Sequence, residues 1–450
     1  MSSHAASLMA ISERVSIALS KVRVWGVVGI INYLQRSFIC RVQRHRLVKC
    51  VKASRVSSPT PGITVIGDLT GQVSLSKTMR DFILNLRDSG IPVQTYDTLL
   101  RHQIPDADVA RIVTPLEEFD IGRYSHIVMM YRCPLPSNLL PQCHRVRIVF
   151  HDSEHGIREM APFLAESGDG IVGMSDFNFE YFRRTFRSQP VFKITYPFRF
   201  KVNEATSREE LRTKYGIGLN DFVVFFNFDF GSYYRKNIPA AIRAFAQAFR
   251  GDLTAKLLFK TKGASANRKQ LHEMEKIVKE SGISDQFVHI SQYLPRADVD
   301  GLTDACDVYL SLHKAEGFGI GMAEAMSQGK PVVATNWSAN TEFCMPDTAW
   351  CIPYRMVPIL PYEYPVSMKE WAEADVEAAA AALREIRDNP KAAAERASRG
   401  AKFMAEHFSI ANFKKSVEAF MNGSLSEHSS DIKSGVDIKP GVGAEPGERA

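Results

Sequence analysis

The hydrophobic and polar positions along this 450-residue chain switch repeatedly between two periods. Short apolar runs, Ile63-Thr-Val-Ile66, Pro92-Val-Gln-Thr-Tyr96, His126-Ile-Val-Met-Met130, Val146-Arg-Ile-Val-Phe150 and Gly170-Ile-Val-Gly-Met174, have the length of buried strands, with helix-period segments between them. Val191-Phe-Lys-Ile-Thr-Tyr-Pro197 closes this first series, and residues 201–220 form a polar crossing. A second series follows, with strands over 221–228, 255–259, 286–290 and 308–312 and a helix from Ile238 to Phe249 after its first strand. Such alternation predicts parallel sheets with helices on both faces, and ligands bind beyond the C-terminal ends of the strands. A chain of this length exceeds one ordinary core, so two α/β domains are expected. The division reads as a basic extension (1–58), a first domain (59–200), a second domain (201–405), a last helix (406–422) and a tail (423–450) whose Ser, Gly, Pro and charge predict disorder. Helices are further expected over 368–387 and 390–408.

The pattern is most informative from His313 to Thr335. The apolar run Val308-Tyr-Leu-Ser-Leu312 is broken by Gly317, Gly319 and Gly321 before a helix with the small apolar face Met322, Ala323, Ala325 and Met326; Gly329 ends that helix and Val332-Val-Ala-Thr335 is the next strand. A strand, a glycine turn and a helix start make an anion site, because the first N–H groups of a helix lack internal partners and the dipole is positive there. Phosphate is the natural guest. Glu316 precedes the helix and Glu324 lies within it, eight residues on, a rise of about 12 Å. Carboxylates so placed can accept hydroxyl hydrogens on either side of a diphosphate, the layout of a nucleoside diphosphate sugar.

Glu316-Gly-Phe-Gly-Ile-Gly-Met-Ala-Glu324 resembles the E-x7-E element of the retaining glycosyltransferases of family 4, and Gly329 to Phe343 continues the likeness. The resemblance implies the GT-B fold, two Rossmann-like doubly wound domains facing across a cleft, and transfer of a sugar from a nucleotide sugar donor to a glycan or lipid-linked acceptor with retention. It implies that Glu324 holds the donor ribose and Glu316 contacts the transferred sugar, with Gly317, Phe318, Gly319 and Ile320 beside the donor. In Gly231-Ser-Tyr-Tyr-Arg-Lys-Asn237 it assigns Lys236 to the diphosphate, with Arg235 as a possible substitute. A lysine at a helix start is electrostatically misplaced without an anion. Many members carry an earlier arginine where Asp229 and Phe230 stand, which leaves Arg235, Lys260 or Lys262 as stand-ins. Gly71 takes the place of a glycine loop over the diphosphate, His151 (with Glu154 behind it) that of a histidine near the transferred sugar, and Tyr293 falls in the base-binding segment.

Composition narrows the rest. Fractions of 45% hydrophobic and 24% charged residues belong to a globular enzyme. A net charge of +6 is too mild to imply nucleic acid. The seven cysteines are odd in number and lack C-x-x-C pairs, which argues for a reducing cytoplasm rather than a disulfide framework or zinc site. Val24 to Ile31 is far shorter than the roughly 20 residues of a spanning helix. The basic first 58 residues read either as an amphipathic segment on an anionic leaflet or as a poorly ordered or self-packed extension with a solvated charged face. Asp106/Asp108 and Asp298/Asp300 fit a D-x-D pattern but sit where helix N-caps are expected, so no obligatory metal and no cofactor beyond the donor is expected. The rivals are a nucleotide-sugar epimerase or a phosphorylase on a similar frame, and a sugar-nucleotide-binding protein without turnover. A nicotinamide dehydrogenase is a distant third, because no G-x-G-x-x-G follows the first strand of this chain.

Overall fold

The computed structural model describes residues 42 and 45–423 apart from 55–57, 72–73, 100–103, 131–144, 151–168, 187–188, 200–206, 293, 295, 361–362 and 364–369. His151, Glu154, Tyr293, the apolar run at 24–31 and the tail expected from 423 onward, except Gly423 itself, lie outside the described residues.

The first sheet contains β1 (Thr60–Gly67), β2 (Val93–Asp97), β3 (Tyr124–Met130), β4 (Arg145–Phe150), β5 (Gly170–Gly173) and β6 (Val191–Lys193), in the order β2-β1-β3-β4-β5-β6 and all parallel. Its described helices are α1 (Ser74–Asp88), α2 (Asp106–Ala110) and α3 (Asp176–Thr185). The apolar face of α1, Met79, Phe82, Ile83 and Leu86, has helical spacing and is fully buried. Part of the basic extension belongs to this domain. Residues 45–53 are helical, Leu47 is buried with Ile66 and Ile127, and Ser54 Oγ donates to Asp120 Oδ1 at 2.6 Å.

The second domain opens with α4 (Arg208–Lys214), a helix inside the expected polar crossing, closed by a capping box in which Ser207 and Glu210 satisfy each other's backbone amides. Its sheet holds β7 (Phe222–Asp229), β8 (Ala255–Lys262), β9 (Phe287–Ile290), β10 (Val308–Ser311), β11 (Val332–Thr335) and β12 (Trp350–Ile352), and its helices begin with α5 (Ile238–Phe249), α6 (Arg268–Glu280), α7 (Arg296–Ala305) and α8 (Ile320–Ser327). The order β12-β11-β10-β7-β8-β9 is parallel throughout and reverses direction between β7 and β10. In such a sheet the crevice at the reversal is the ligand site. Asp106 and Asp298 lie inside α2 and α7 rather than at their N-caps, and Asp298 stands 3.6 Å from Lys214.

The helix expected over 368–387 is in part a strand. β13 (Tyr354–Pro358) and β14 (Glu370–Ala374) form an antiparallel hairpin, and α9 (Val376–Asp388) starts only after Asp375, whose side chain caps the Ala378 amide. Alanine-rich Glu370-Trp-Ala-Glu-Ala374 has helical propensity, but burying Trp371 completely beneath Lys314 favours pairing with β13 instead. After α10 (Pro390–His407), α11 (Ile410–Met421) returns to the first domain. Phe413 meets Phe82 edge to face with centroids 5.6 Å apart, Phe420 meets Phe192 at 5.5 Å, and the Thr195 amide donates to Ser416 Oγ at 3.0 Å. Because Phe413 is almost wholly buried, Phe413→Ala should cost about 3–5 kcal/mol, read as a lower urea midpoint; an unchanged midpoint would show that α11 does not anchor the first domain.

Candidate active site

The reversal in the second sheet brings together the segments after β7 and β10. After β7 the chain makes a short 3-10 turn and reaches Arg235, Lys236 and Asn237, the last in the left-handed region at φ 55°. After β10 it continues through His313, Lys314, Ala315 and Glu316. The Lys314 amide donates to the Arg235 carbonyl at 2.8 Å, and Arg235 Nη1 donates to the Ala315 carbonyl at 2.8 Å, so the segments are stitched by their backbones. Lys236 Nζ donates to Glu316 Oε1, while Arg235 lies 3.6 Å from Oε2. Burial alone would raise the Glu316 carboxyl, but Lys236, Arg235 and His313 outweigh it and hold the group at about 2. Burial lowers the Lys236 ammonium more than its partner raises it.

The Glu316 backbone is fixed too. Its amide donates to Ser338 Oγ at 2.7 Å, and Ser338 takes the unusual φ of 72° to present that oxygen. His313, fully buried, lies between Ser311 Oγ at 3.0 Å and Asn340 Oδ1 at 2.9 Å, and burial lowers its pKa, which favours neutral imidazole. Asn340 Nδ2 donates onward to the Thr335 carbonyl at 2.9 Å. Gly319 precedes α8 at φ 96°, a conformation that disfavours a side chain, and a Cβ on Gly321 would stand 2.1 Å from the Tyr309 hydroxyl. The second glycine lets α8 press against β10. The helix has no side-chain cap, and none of the amides of residues 317–322 has a protein acceptor among the described residues. They are available to an anion.

Glu324, one face further along α8, is 3% exposed, and Lys77 of α1 reaches it from the first domain at 3.6 Å while also contacting Asp81 at 2.5 Å. Two more first-domain residues meet the loop before α8. Asn178 Nδ2 donates to the Gly317 carbonyl at 2.9 Å, and Tyr196 stacks on Phe318 with centroids 3.6 Å apart and planes within 3°, its hydroxyl 2.6 Å from Thr78 Oγ1. Phe318 is therefore an interdomain packing residue. Its side chain is fully enclosed, so only its backbone can face a donor. Ile320, as first residue of α8, likewise presents its amide.

Other expected residues fall elsewhere. A Cβ on Gly71 would stand 2.3 Å from Asp68 Oδ1 and 2.7 Å from Ser76 Oγ, so the packing of its own turn already calls for glycine there. Lys260 turns back to the Thr261 carbonyl at 2.8 Å, and Lys262 pairs with Asp229 at 3.4 Å; neither is brought to the Lys236–Glu316 pair. Sequence reasoning missed Lys77, Asn178, Ser338 and Asn340. The rule that singled out Lys236, a cation near a helix start, applies equally to Lys77; the rest depend on tertiary contacts without a local signal.

With its folded pKa below the ordinary 4.5, Glu316 contributes stability above that pH and loses it as pH falls toward about 2. Glu316→Gln should destabilise the protein at pH 7 by on the order of 2 kcal/mol, because the half-buried Lys236 is left without its partner. The difference should shrink as the wild type is acidified below pH 4.5; a constant gap across that window in denaturant titrations would contradict the pairing.

Residues 207–353 match the family described as Glycosyl transferases group 1. No curated protein matches the chain. Among solved structures, the chain is similar to a glycosyltransferase from Rickettsia africae (TM-score 0.59, 11% identity, covering 83% of this chain and 100% of that one). It is also similar to sucrose-phosphate synthase from Thermosynechococcus elongatus (0.58, 16%, 81% and 99%) and to Anabaena Alr3699/HepE solved with UDP and glucose (0.57, 15%, 81% and 100%). The S. aureus TarM structure is similar over 66% of this chain, which spans 55% of TarM (TM-score 0.50, 13% identity). At these identities the likeness is one of fold, and it agrees with the two parallel sheets and the strand reversal: the chain has the GT-B fold, and its second domain carries a group 1 glycosyl transferase match.

Proposed function

We propose that this protein transfers a sugar from a nucleoside diphosphate sugar to a hydroxyl of a glycan or lipid-linked glycan, with retention, as a hexosyltransferase similar to family 4. The observation that carries the reading is the site after β10: a Lys236–Glu316 pair, its carboxylate buried, at the strand reversal, directly followed by an uncapped helix start whose amides lack protein acceptors among the described residues. HepE, solved with UDP and glucose, supports a donor of this class.

In this reading Glu324 accepts the ribose hydroxyls and Glu316 a hydroxyl of the transferred sugar. Lys236, Arg235 and the amides of residues 317–322 face the diphosphate. The bond from the anomeric carbon to the phosphate oxygen breaks with its electron pair leaving on the diphosphate, where fixed charge and aligned N–H groups stabilise it most. The acceptor oxygen forms its bond on the face that the leaving group vacates and gives its proton to the departing phosphate. Lys77 on Glu324 spans the two domains across this site, so donor entry replaces or extends a contact already made there. His151 and Tyr293 remain assigned to the transferred sugar and the base. We place the enzyme in polysaccharide biosynthesis in the cytoplasm, its basic N-terminus touching an anionic membrane face, with no divalent cation required because the site's own cations face the leaving group.

Purified protein incubated with UDP-, GDP- and ADP-hexoses should release the nucleotide and glycosylate an added acceptor, with the donor's anomeric configuration kept in the product by NMR. Return of an epimerised nucleotide sugar, or dependence on inorganic phosphate, would instead identify one of the rival enzymes. Glu324→Ala should weaken donor binding about tenfold or more, and an unchanged affinity would remove the ribose contact. Lys236→Ala should lower kcat by about 10²–10³-fold with a smaller effect on donor affinity, whereas EDTA should leave the rate unaltered.

A further inference from the structure

The hairpin β13–β14 and the first turns of α5 and α9 line a half-open cleft of about 940 Å³, near the upper end of the ~300–1,000 Å³ usual for small-molecule sites. It is not the donor crevice, but it shares both of that crevice's segments: Tyr234 and Asn237 line it on either side of Arg235 and Lys236, and Lys314 lines it two residues before Glu316.

Its charges are unevenly satisfied. Among the lining acids, Glu273 accepts from the Tyr234 hydroxyl at 2.9 Å, and Glu373 pairs with Lys314 at 2.8 Å and accepts from Asn237 Nδ2 at 3.0 Å. Glu363 accepts the Leu360 amide at 3.0 Å and lies 3.5 Å from Lys314, and Asp375 caps α9. Lys314 is thus matched by two carboxylates and covered by the Trp371 ring 4.7 Å away. Arg243 and Arg355 are different. Both are exposed at the cavity wall, and neither has an acceptor or ion-pair partner among the described residues. Asn237, which precedes α5 on the same wall, turns its side-chain amide to Glu373. Tyr354 and Tyr234 supply aromatic surface beside these donors.

We infer that this cavity binds an acidic saccharide, its anionic group held by Arg243 and Arg355 and a sugar face lying on Tyr354. Guanidinium forks suit phosphate and carboxylate alike, and the shared wall segments place such a ligand next to the Lys236–Glu316 pair. That the ligand is the acceptor rests on the transferase reading above; that the cavity binds it does not. A site built by the hairpin would put acceptor choice partly on the second domain.

The test uses the full chain, labelled and applied to an array of neutral, carboxylated and phosphorylated oligosaccharides with UDP, GDP and ADP present to fill the nucleotide site. Nucleotide binding is followed in parallel by thermal shift. Retention is expected on acidic saccharides, and Arg243→Gln with Arg355→Gln together should reduce it about tenfold or more, with partial recovery in the paired Arg→Lys variant and no change in the nucleotide shift. Both side chains are exposed, so folding is preserved. The carboxylated and phosphorylated arms identify which anion is held. Retention on neutral glycans alone, no retention at all, or retention indifferent to the double substitution would overturn the proposal. Nucleotide binding without saccharide retention sinks this cavity and spares the donor reading; the reverse result sinks the donor reading instead.

Discussion

An ion pair between a half-buried lysine and a buried glutamate joins two strand ends and governs how this molecule is arranged around its crevice. Lys236 follows β7 and Glu316 follows β10, and those strands are neighbours only because the second sheet reverses its order there. A cation and a carboxylate withdrawn from water are tolerable when geometry is good and further hydrogen bonds satisfy the rest. Here Arg235, the stitched backbones and the Ser338 hydroxyl supply them. The left-handed backbone at Asn237 and Ser338 is a cost accepted at the same place. Strain and buried charge gathered at one crevice are what a binding site for a highly charged ligand requires.

The first domain completes that crevice rather than merely facing it. Asn178 holds the Gly317 carbonyl, Tyr196 lies flat on Phe318, and Lys77 touches Glu324, so the loop carrying the anion-binding amides is braced from across the interface. Glu342 adds a further tie by accepting the Asp176 amide at the start of α3, although burial pushes its carboxyl up to about 8. Helix α11 closes the arrangement by carrying the end of the second domain back onto α1 and β6. Any movement that opens the domains must therefore disturb polar contacts at the site itself.

The hairpin gives the second domain an additional wall. It presses Trp371 onto Lys314 and, through Glu373, holds the side chain of Asn237, so it touches both segments that carry the central ion pair. Among the described residues neither Arg355 of the hairpin nor Arg243 of α5 has an ion-pair partner, whereas the lining carboxylates are engaged.

Much of this was legible in the linear pattern. Apolar runs of strand length, the helix from Ile238 to Phe249, the glycine break before Ile320 and the returning helix after Ser409 are local features, because period and turn chemistry act over a few residues. The two glutamates and Lys236 were legible for a related reason: charge beside a helix start is conspicuous without any knowledge of the partner. Tertiary structure alone decided the rest. It turned Glu370–Ala374 into a strand, since burial of Trp371 outweighs the propensity of its alanines. It filled the space beside Gly71 with Asp68 and Ser76, and it enclosed Phe318 against Tyr196, 122 positions away in the chain by their numbering. Pairings of this kind depend on which surfaces meet after the sheets have formed, and that information is not local to any stretch of sequence.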